Sequence, residues 1–169
     1  MGGLLRFRGN ALFALARDSL PAVDSSAVDA RKELEDVLRS ACASYIGATV
    51  AALAGPLQAL ALKGKAFVGK PPAALAAQPF AAPERAAAAA EATLTAVEAN
   101  LPQALAKMAL YLDSPVTQSI LYKPVAAQVV AAGRDVAALL QRAQHPREAL
   151  EPASAALAKV GVAVRALSP

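Results

Sequence analysis

Apolar residues return every three or four positions over most of this chain, and prolines divide the returns into helical segments. The clearest run is Leu94, Val97, Leu101, Leu105, Met108 and Leu112, which lines one face of a helix beginning at Glu84, just after Pro83. Pro102 lies inside that run and predicts a kink, because the stripe stays in phase beyond it. An earlier helix begins near Ala27, where Ser26 and Asp29 form a capping box with Asp in place of Glu. Its stripe is Leu34, Leu38, Ala41 and Tyr45, and Glu35 with Arg39 has the i, i+4 spacing of an ion pair on a wet face. Gly55 and Pro56 are expected to bend or end this helix, since Pro56 has no N–H and its ring crowds the preceding turn, with helix resuming to about Lys63.

Upstream, the apolar residues between Leu4 and Arg17 predict a short helix closed by Pro21. Downstream, Asp113 or Ser114 can cap a short helix over 115–122 with Pro115 at its first position. Lys123 precedes a proline and is biased away from helical geometry, so Pro124 is read as starting a new helix to about Ala143, faced by Val125, Val129, Ala132, Val136, Leu139 and Leu140. After His145 and Pro146 a last helix covers Arg147 to Ala166, carrying Leu150, Leu157, Val160, Val164 and, just beyond it, Leu167. No segment alternates as a strand does, and there is no clean internal repeat. The expected fold class is therefore all-α, an elongated bundle of about five to six helices in one domain over 1–169. Residues 64–83, rich in Pro, Gly and Ala, read as a long loop, which in a compact domain is usually functional or mobile.

Composition sharpens this picture. Alanine supplies 46 of 169 residues, and it is the strongest helix former because its methyl loses no rotamer entropy. An Ala- and Leu-built core carries little apolar area per residue, so stability is expected to be modest and partners to contribute. Basic residues exceed acidic ones by 17 to 13 but are scattered rather than gathered into the stripe that phosphate neutralisation requires, which disfavours nucleic acid. The single cysteine, Cys42, cannot form an internal disulfide, which points to a reducing compartment.

Residues 1–17 hold Arg6, Arg8 and Arg17 without an acid and loosely fit an organellar transit peptide. The apolar run from Ala11 to Ala16 is too short for a secretory signal, and Arg6 stands where myristoylation wants Ser or Thr. Ser40 to Leu62 is free of charge and long enough to cross a bilayer, but its many alanines and its Ser, Thr, Gln, Gly and Pro residues favour a buried amphipathic helix.

The chain offers no site for catalysis. One His and one Cys about a hundred residues apart cannot form a metal site, so His145 reads as a solvated turn residue. Glu33, Glu35 and Asp36 sit near the start of a helix, where acids meet the positive end of the macrodipole. The Lys63, Gly64, Lys65 and Gly69, Lys70 stretch lacks the order of a phosphate loop and follows no strand. A flexible basic loop is its ordinary reading, and contact with an anionic membrane surface is the other. No enzyme and no cofactor is implied.

The segment MALYLDSPVTQSILYKPV, Met108 to Val125, has an idiosyncratic order: Leu110, Tyr111 and Leu112, a polar turn, then Ile120, Leu121, Tyr122, Lys123, Pro124 and Val125. It closely resembles the C-terminal region of the third subunit of the conserved oligomeric Golgi complex, where Phe usually stands at the position of Tyr122. The run LRSACASYI, with Ala41, Cys42 and Tyr45, resembles another stretch of that family, and Gln78, Pro79 and Phe80 sit where it has Gln-Pro-Trp. Leu5, Arg6, Phe7, Asn10 and Ala11 also look like the family's sequence, so the resemblance spans about 4–143 and weighs against a transit peptide. Residues 144–169 match poorly, and 63–77 with the alanine block 86–90 depart from the pattern. The family is much longer, which makes the sequence read as a C-terminal fragment.

The resemblance implies a rod-like helical piece of a multisubunit tether, peripheral on the cytoplasmic face of the Golgi membrane, acting in vesicle tethering and intra-Golgi retrograde protein transport. The implied partners are other tether subunits, SNAREs, Rab proteins and vesicle coat components. Within the motif, Tyr111, Leu112, Ile120, Leu121 and Tyr122 read first as a packed corner between two helices and second as a partner contact. Lys123, polar in an apolar string, is expected to pair with an acid or cap the end of the short helix. The other functional reading is an Ala-rich membrane-associated or membrane-inserted protein using residues 40–62.

Overall fold

A computed structural model describes residues 25–167, with side chains from residue 28 onward; the expected helix from Leu4 to Arg17 and the break at Pro21 lie outside them. Among the described residues there are five α-helices, one 3-10 turn and no strand: α1 (Ser25–Lys65), α2 (Pro72–Ala76), the 3-10 turn Pro79–Ala81, α3 (Pro83–Tyr111), α4 (Pro115–Arg142) and α5 (Arg147–Ala166). The protein is an all-α helical bundle.

The chain divides into two compact units, Met1–Ala41 and Cys42–Pro169. In the first, Arg31 Nε lies 3.1 Å from Glu35 and Arg39 Nη1 lies 2.7 Å from Asp36, both exposed. The anticipated Glu35–Arg39 pair is absent because each partner is taken by a different neighbour one turn away on the same helix. Pairs this exposed contribute only about 0.2–0.5 kcal/mol each. Val28, Leu34, Val37 and Leu38 are exposed on this segment.

The second unit holds the core. From α1, Val50, Leu53, Ala54, Leu57 and Ala61 are buried together with Val97, Leu101 and Met108 of α3, Val125, Val129 and Val136 of α4, and Val160 and Val164 of α5. The stripe read from Leu94 to Leu112 faces inward as its spacing required, its larger members either buried or packed against the core. Helix α3 packs along α5, and α5 along α4. Small residues from all three helices enter the same core: Ala86, Ala89 and Ala90 of α3, Ala132 of α4, and Ala153 and Ala156 of α5 are all buried. Thr93 is fully buried among them, and its hydroxyl has no hydrogen-bond partner among the described residues.

Four helices carry an interior proline, at Pro56, Pro102, Pro124 and Pro152. A proline within a helix orphans the carbonyl four residues earlier. Those carbonyls belong to Ala52, Glu98, Ile120 and Glu148, every one an exposed residue, so water can satisfy what the ring leaves unpaired. This overturns the expected boundary at Lys123 and Pro124. Helix α4 runs unbroken from Pro115, because the buried series Tyr122, Val125, Val129, Ala132, Val136 continues in phase on both sides of the proline. Helix α1 does break its geometry at Ala54 (φ −119°, ψ 16°), immediately before Gly55 and Pro56, then resumes to Lys65.

Residues 64–83, read from composition as loop, contain local structure. Pro72 opens α2, and Pro79 opens the 3-10 turn, positions where a missing N–H costs nothing. Leu75 and Ala81 then form a second small core with Leu139 and Ala143 of α4, and Phe67, Ala76 and Phe80 pack against it. Gly64 permits the approach of α4 at this end: a Cβ built there would meet Leu139 Cδ1 at 2.7 Å. His145 is not a solvated turn residue. Its Nε2 lies 2.9 Å from the Ala81 carbonyl, half-buried. The neighbouring Gln144 takes a left-handed φ of 55° that ends α4.

Candidate interaction surface

The α3–α4 junction brings the residues of the 108–125 motif to one end of the second unit. Helix α3 ends at Tyr111, and the Leu112 N–H still reaches the Met108 carbonyl. Helix α4 begins after three intervening residues, behind Ser114, whose side chain makes no capping hydrogen bond. Gln118 holds the junction instead, its Nε2 donating to the Leu112 carbonyl at 2.7 Å. An amide from one helix thereby satisfies an end carbonyl of the other.

The motif is divided between inside and outside. Tyr122 is 4% exposed, and Leu112 and Leu121 are half-buried against the main core. Leu110 and Tyr111 are 78% and 85% exposed, and Ile120 is 61% exposed. Val116, which sequence reasoning did not single out, is 70% exposed and shares a face of α4 with Ile120 through its i, i+4 spacing. Four large apolar side chains at one corner are therefore left in solvent, an arrangement that marks protein contact more often than scattered single exposures do.

Tyr122 ties this corner to the last helix, 42 residues on. Its hydroxyl donates to the Val164 carbonyl of α5. Val164 is in the last turn of α5, and its carbonyl takes the phenol as a donor from outside its own helix. Burial pushes the Tyr122 phenol above the ordinary tyrosine pKa of 10.0. Lys123 is exposed, forms no ion pair among the described residues, and has no helix end to cap, because α4 continues through Pro124.

The remaining motif residues lie apart from the corner. Ala41 is exposed and belongs to the first unit, and Cys42 is a half-buried free thiol. Tyr45 donates through its hydroxyl to the Ala104 carbonyl at 3.2 Å, clasping α1 to α3. Gln78 donates to the Ala74 carbonyl at 3.2 Å and precedes the 3-10 turn, and Pro79 is exposed at its start. Phe80 stacks edge-on against Phe67 with ring centres 5.5 Å apart. The Phe67 partner was legible only as an isolated aromatic in a composition-biased stretch.

Among the described residues, no cluster of His, Cys, Asp or Glu could hold a metal ion. The grooves between helices are lined by a mixture of apolar and polar residues, as in the one where Gln58, Lys65, Gln128 and Asp135 stand beside Ala61, Leu62, Ala131 and Ala132. What this surface offers is apolar area and position rather than reactive groups.

Compared with known families, residues 41–161 match the model of the COG3 C-terminal cap domain. The match begins at the first residue before the second compact unit and runs well into α5, so it includes most of the last helix and leaves out residues 4–40. Neither the curated proteins nor the solved structures gave a match.

Proposed function

Because this chain belongs to the COG3 C-terminal cap family, that of a subunit of the conserved oligomeric Golgi complex, we propose that it acts in vesicle tethering by offering helix surfaces to neighbouring proteins. Subunits of that complex are structural tethering components, not enzymes, and the family is Golgi-associated. The observation that carries the reading is the exposed corner of Leu110, Tyr111, Val116 and Ile120, apolar area held in place by a buried half of the same motif. Burying large side chains of this kind is worth roughly 1.5–3 kcal/mol apiece, enough for a few to anchor an interface. Other tether subunits are the first partners expected there, with SNAREs, Rab proteins and coat components as further ones. Intra-Golgi retrograde transport, from the cytoplasmic face of the membrane, is the process this would serve.

The test is co-purification of the epitope-tagged protein from cells under mild lysis. Other tether subunits are expected with the wild type and not with a Tyr111→Ser, Ile120→Ser double variant, whose fold should persist because both side chains are exposed. Recovery of no tether subunit by the wild type would refute the proposal.

A membrane-inserted α1 is the competing reading, since Val28–Lys65 is long and apolar enough to cross a bilayer. Five of its residues between Val50 and Ala61 are taken up by the protein core, which favours the first reading. Carbonate extraction separates the two: an inserted helix stays with the membrane pellet, and a peripheral subunit is released.

A further inference from the structure

Between Asp36 and Glu84 the chain has no acidic residue, and the three lysines after Arg39, at Lys63, Lys65 and Lys70, fall within a single turn region. The structure gathers these charges around an exposed aliphatic tip. Helix α1 ends at Lys65, and Ala66, Phe67, Val68 and Lys70 each donate their N–H back to a carbonyl three residues earlier. Gly69 at φ 83° then turns the chain, a conformation that only glycine adopts without strain. The turn is anchored from both sides. Phe67 packs on Phe80, and its carbonyl accepts from Arg142 Nη2 at 2.8 Å.

With Phe67 drawn inward, its neighbours are left outside. Val68 and Leu62 are each 69% exposed. Lys63, Lys65, Lys70 and Arg142 are exposed and engage no carboxylate among the described residues. Lys70 Nζ lies 4.7 Å above the Phe67 ring, which holds that ammonium beside the tip. Asp135 is the one acid lining the adjoining groove, which Lys65 and Arg142 line with it.

We propose that this turn is a docking surface for an anionic lipid bilayer, with Val68 entering the headgroup boundary while Lys63, Lys65, Lys70 and Arg142 meet lipid phosphates and carboxylates. An acidic polypeptide suits the site less well. The backbone donors of Ala66, Phe67, Val68 and Lys70 are already used within the turn, which leaves them unavailable to an added strand, and an exposed apolar tip ringed by cations matches a surface that is charged outside and apolar beneath. The contact goes beyond assembly with other subunits and does not depend on which proteins the chain binds.

The experiment is sedimentation of the whole chain with phosphatidylcholine vesicles, with and without phosphatidylserine. Binding is expected only with phosphatidylserine and should weaken as salt shortens the screening length. Each lysine near an anionic surface is expected to contribute about fivefold, so a Lys63→Gln, Lys65→Gln, Lys70→Gln triple variant should bind roughly a hundredfold more weakly. Val68→Ser should lose about tenfold at unchanged charge, because the apolar contribution is separate. Circular dichroism verifies that the variants, all at exposed positions, keep their helix content. Failure of the wild type to sediment, equal sedimentation with neutral vesicles, or an undiminished triple variant overturns the proposal. So does an unaffected Val68→Ser variant combined with equal binding to polyglutamate, which would assign the patch to an acidic chain instead.

Discussion

Replacing Tyr122 by Phe removes one oxygen from a 4%-exposed side chain and leaves the ring, so it isolates the hydrogen bond to the Val164 carbonyl from the packing around it. The loss has two parts. A neutral hydrogen bond contributes about 0.5–1.5 kcal/mol net, and a buried carbonyl left without a donor adds a desolvation penalty toward the upper end of about 1–3 kcal/mol. Val164 is itself 1% exposed, so water does not readily replace the phenol. We expect Tyr122→Phe to cost about 1–2 kcal/mol, lowering Tm by about 3–6 °C. Urea unfolding followed at 222 nm measures the change as a lower midpoint at unaltered slope.

The same residue gives a pH signature. Its folded pKa is raised by burial, so below the unfolded value of 10.0 the phenol is neutral in both states and its contribution is fully present. Above that value the unfolded chain ionises first and binds fewer protons than the native state, so stability falls as pH rises through the folded pKa. Wild type should therefore lose stability faster than Tyr122→Phe on the alkaline side of pH 10, and the gap between them should close. Equal midpoints at neutral pH, or parallel alkaline limbs, would show that the hydroxyl is not the donor to α5.

Two further substitutions test the core. Thr93→Val exchanges a buried, unpartnered hydroxyl for a methyl of nearly the same shape and should stabilise by about 1 kcal/mol in the same urea assay, whereas Thr93→Ser should not. Leu57→Ala empties a site of 0% exposure and should destabilise by about 2–5 kcal/mol, which calorimetry of the two proteins would resolve.

Much of the bundle was legible because burial imposes a period on sequence. The α3 stripe, the inward face of α4 from Val125 to Leu140 and the limits of α5 all follow from apolar spacing. Proline was the misleading signal. At Lys123 and Pro124 the local preference of the backbone argued for a boundary, but the orphaned carbonyl belongs to the exposed Ile120, and the core contacts on both sides keep the helix in register. His145 and the 64–83 segment were misread for a different reason. Their order rests on contacts between distant residues, such as His145 with Ala81 and Arg142 with Phe67, which no local pattern encodes. The division of the 108–125 motif into buried Tyr122 and exposed Tyr111 was equally invisible, since two tyrosines in similar apolar surroundings differ only in which way the junction turns them.

The buried alanines of α3 and α5 have a consequence for how this sequence can drift. Helices that meet through methyl groups approach closely, and they gain stability from contact rather than from area. A single-base change in an alanine codon yields Val, Thr, Ser, Pro, Asp, Glu or Gly. At Ala86, Ala90, Ala153 or Ala156 all but glycine either add bulk to a packed core or bring a polar group into it, and glycine loosens the helix. On the outer faces the same codon changes are nearly free. An alanine-rich composition that looks permissive therefore conceals a narrow track of positions at which the fold tolerates almost no replacement, and harmful variants of this protein should concentrate along it.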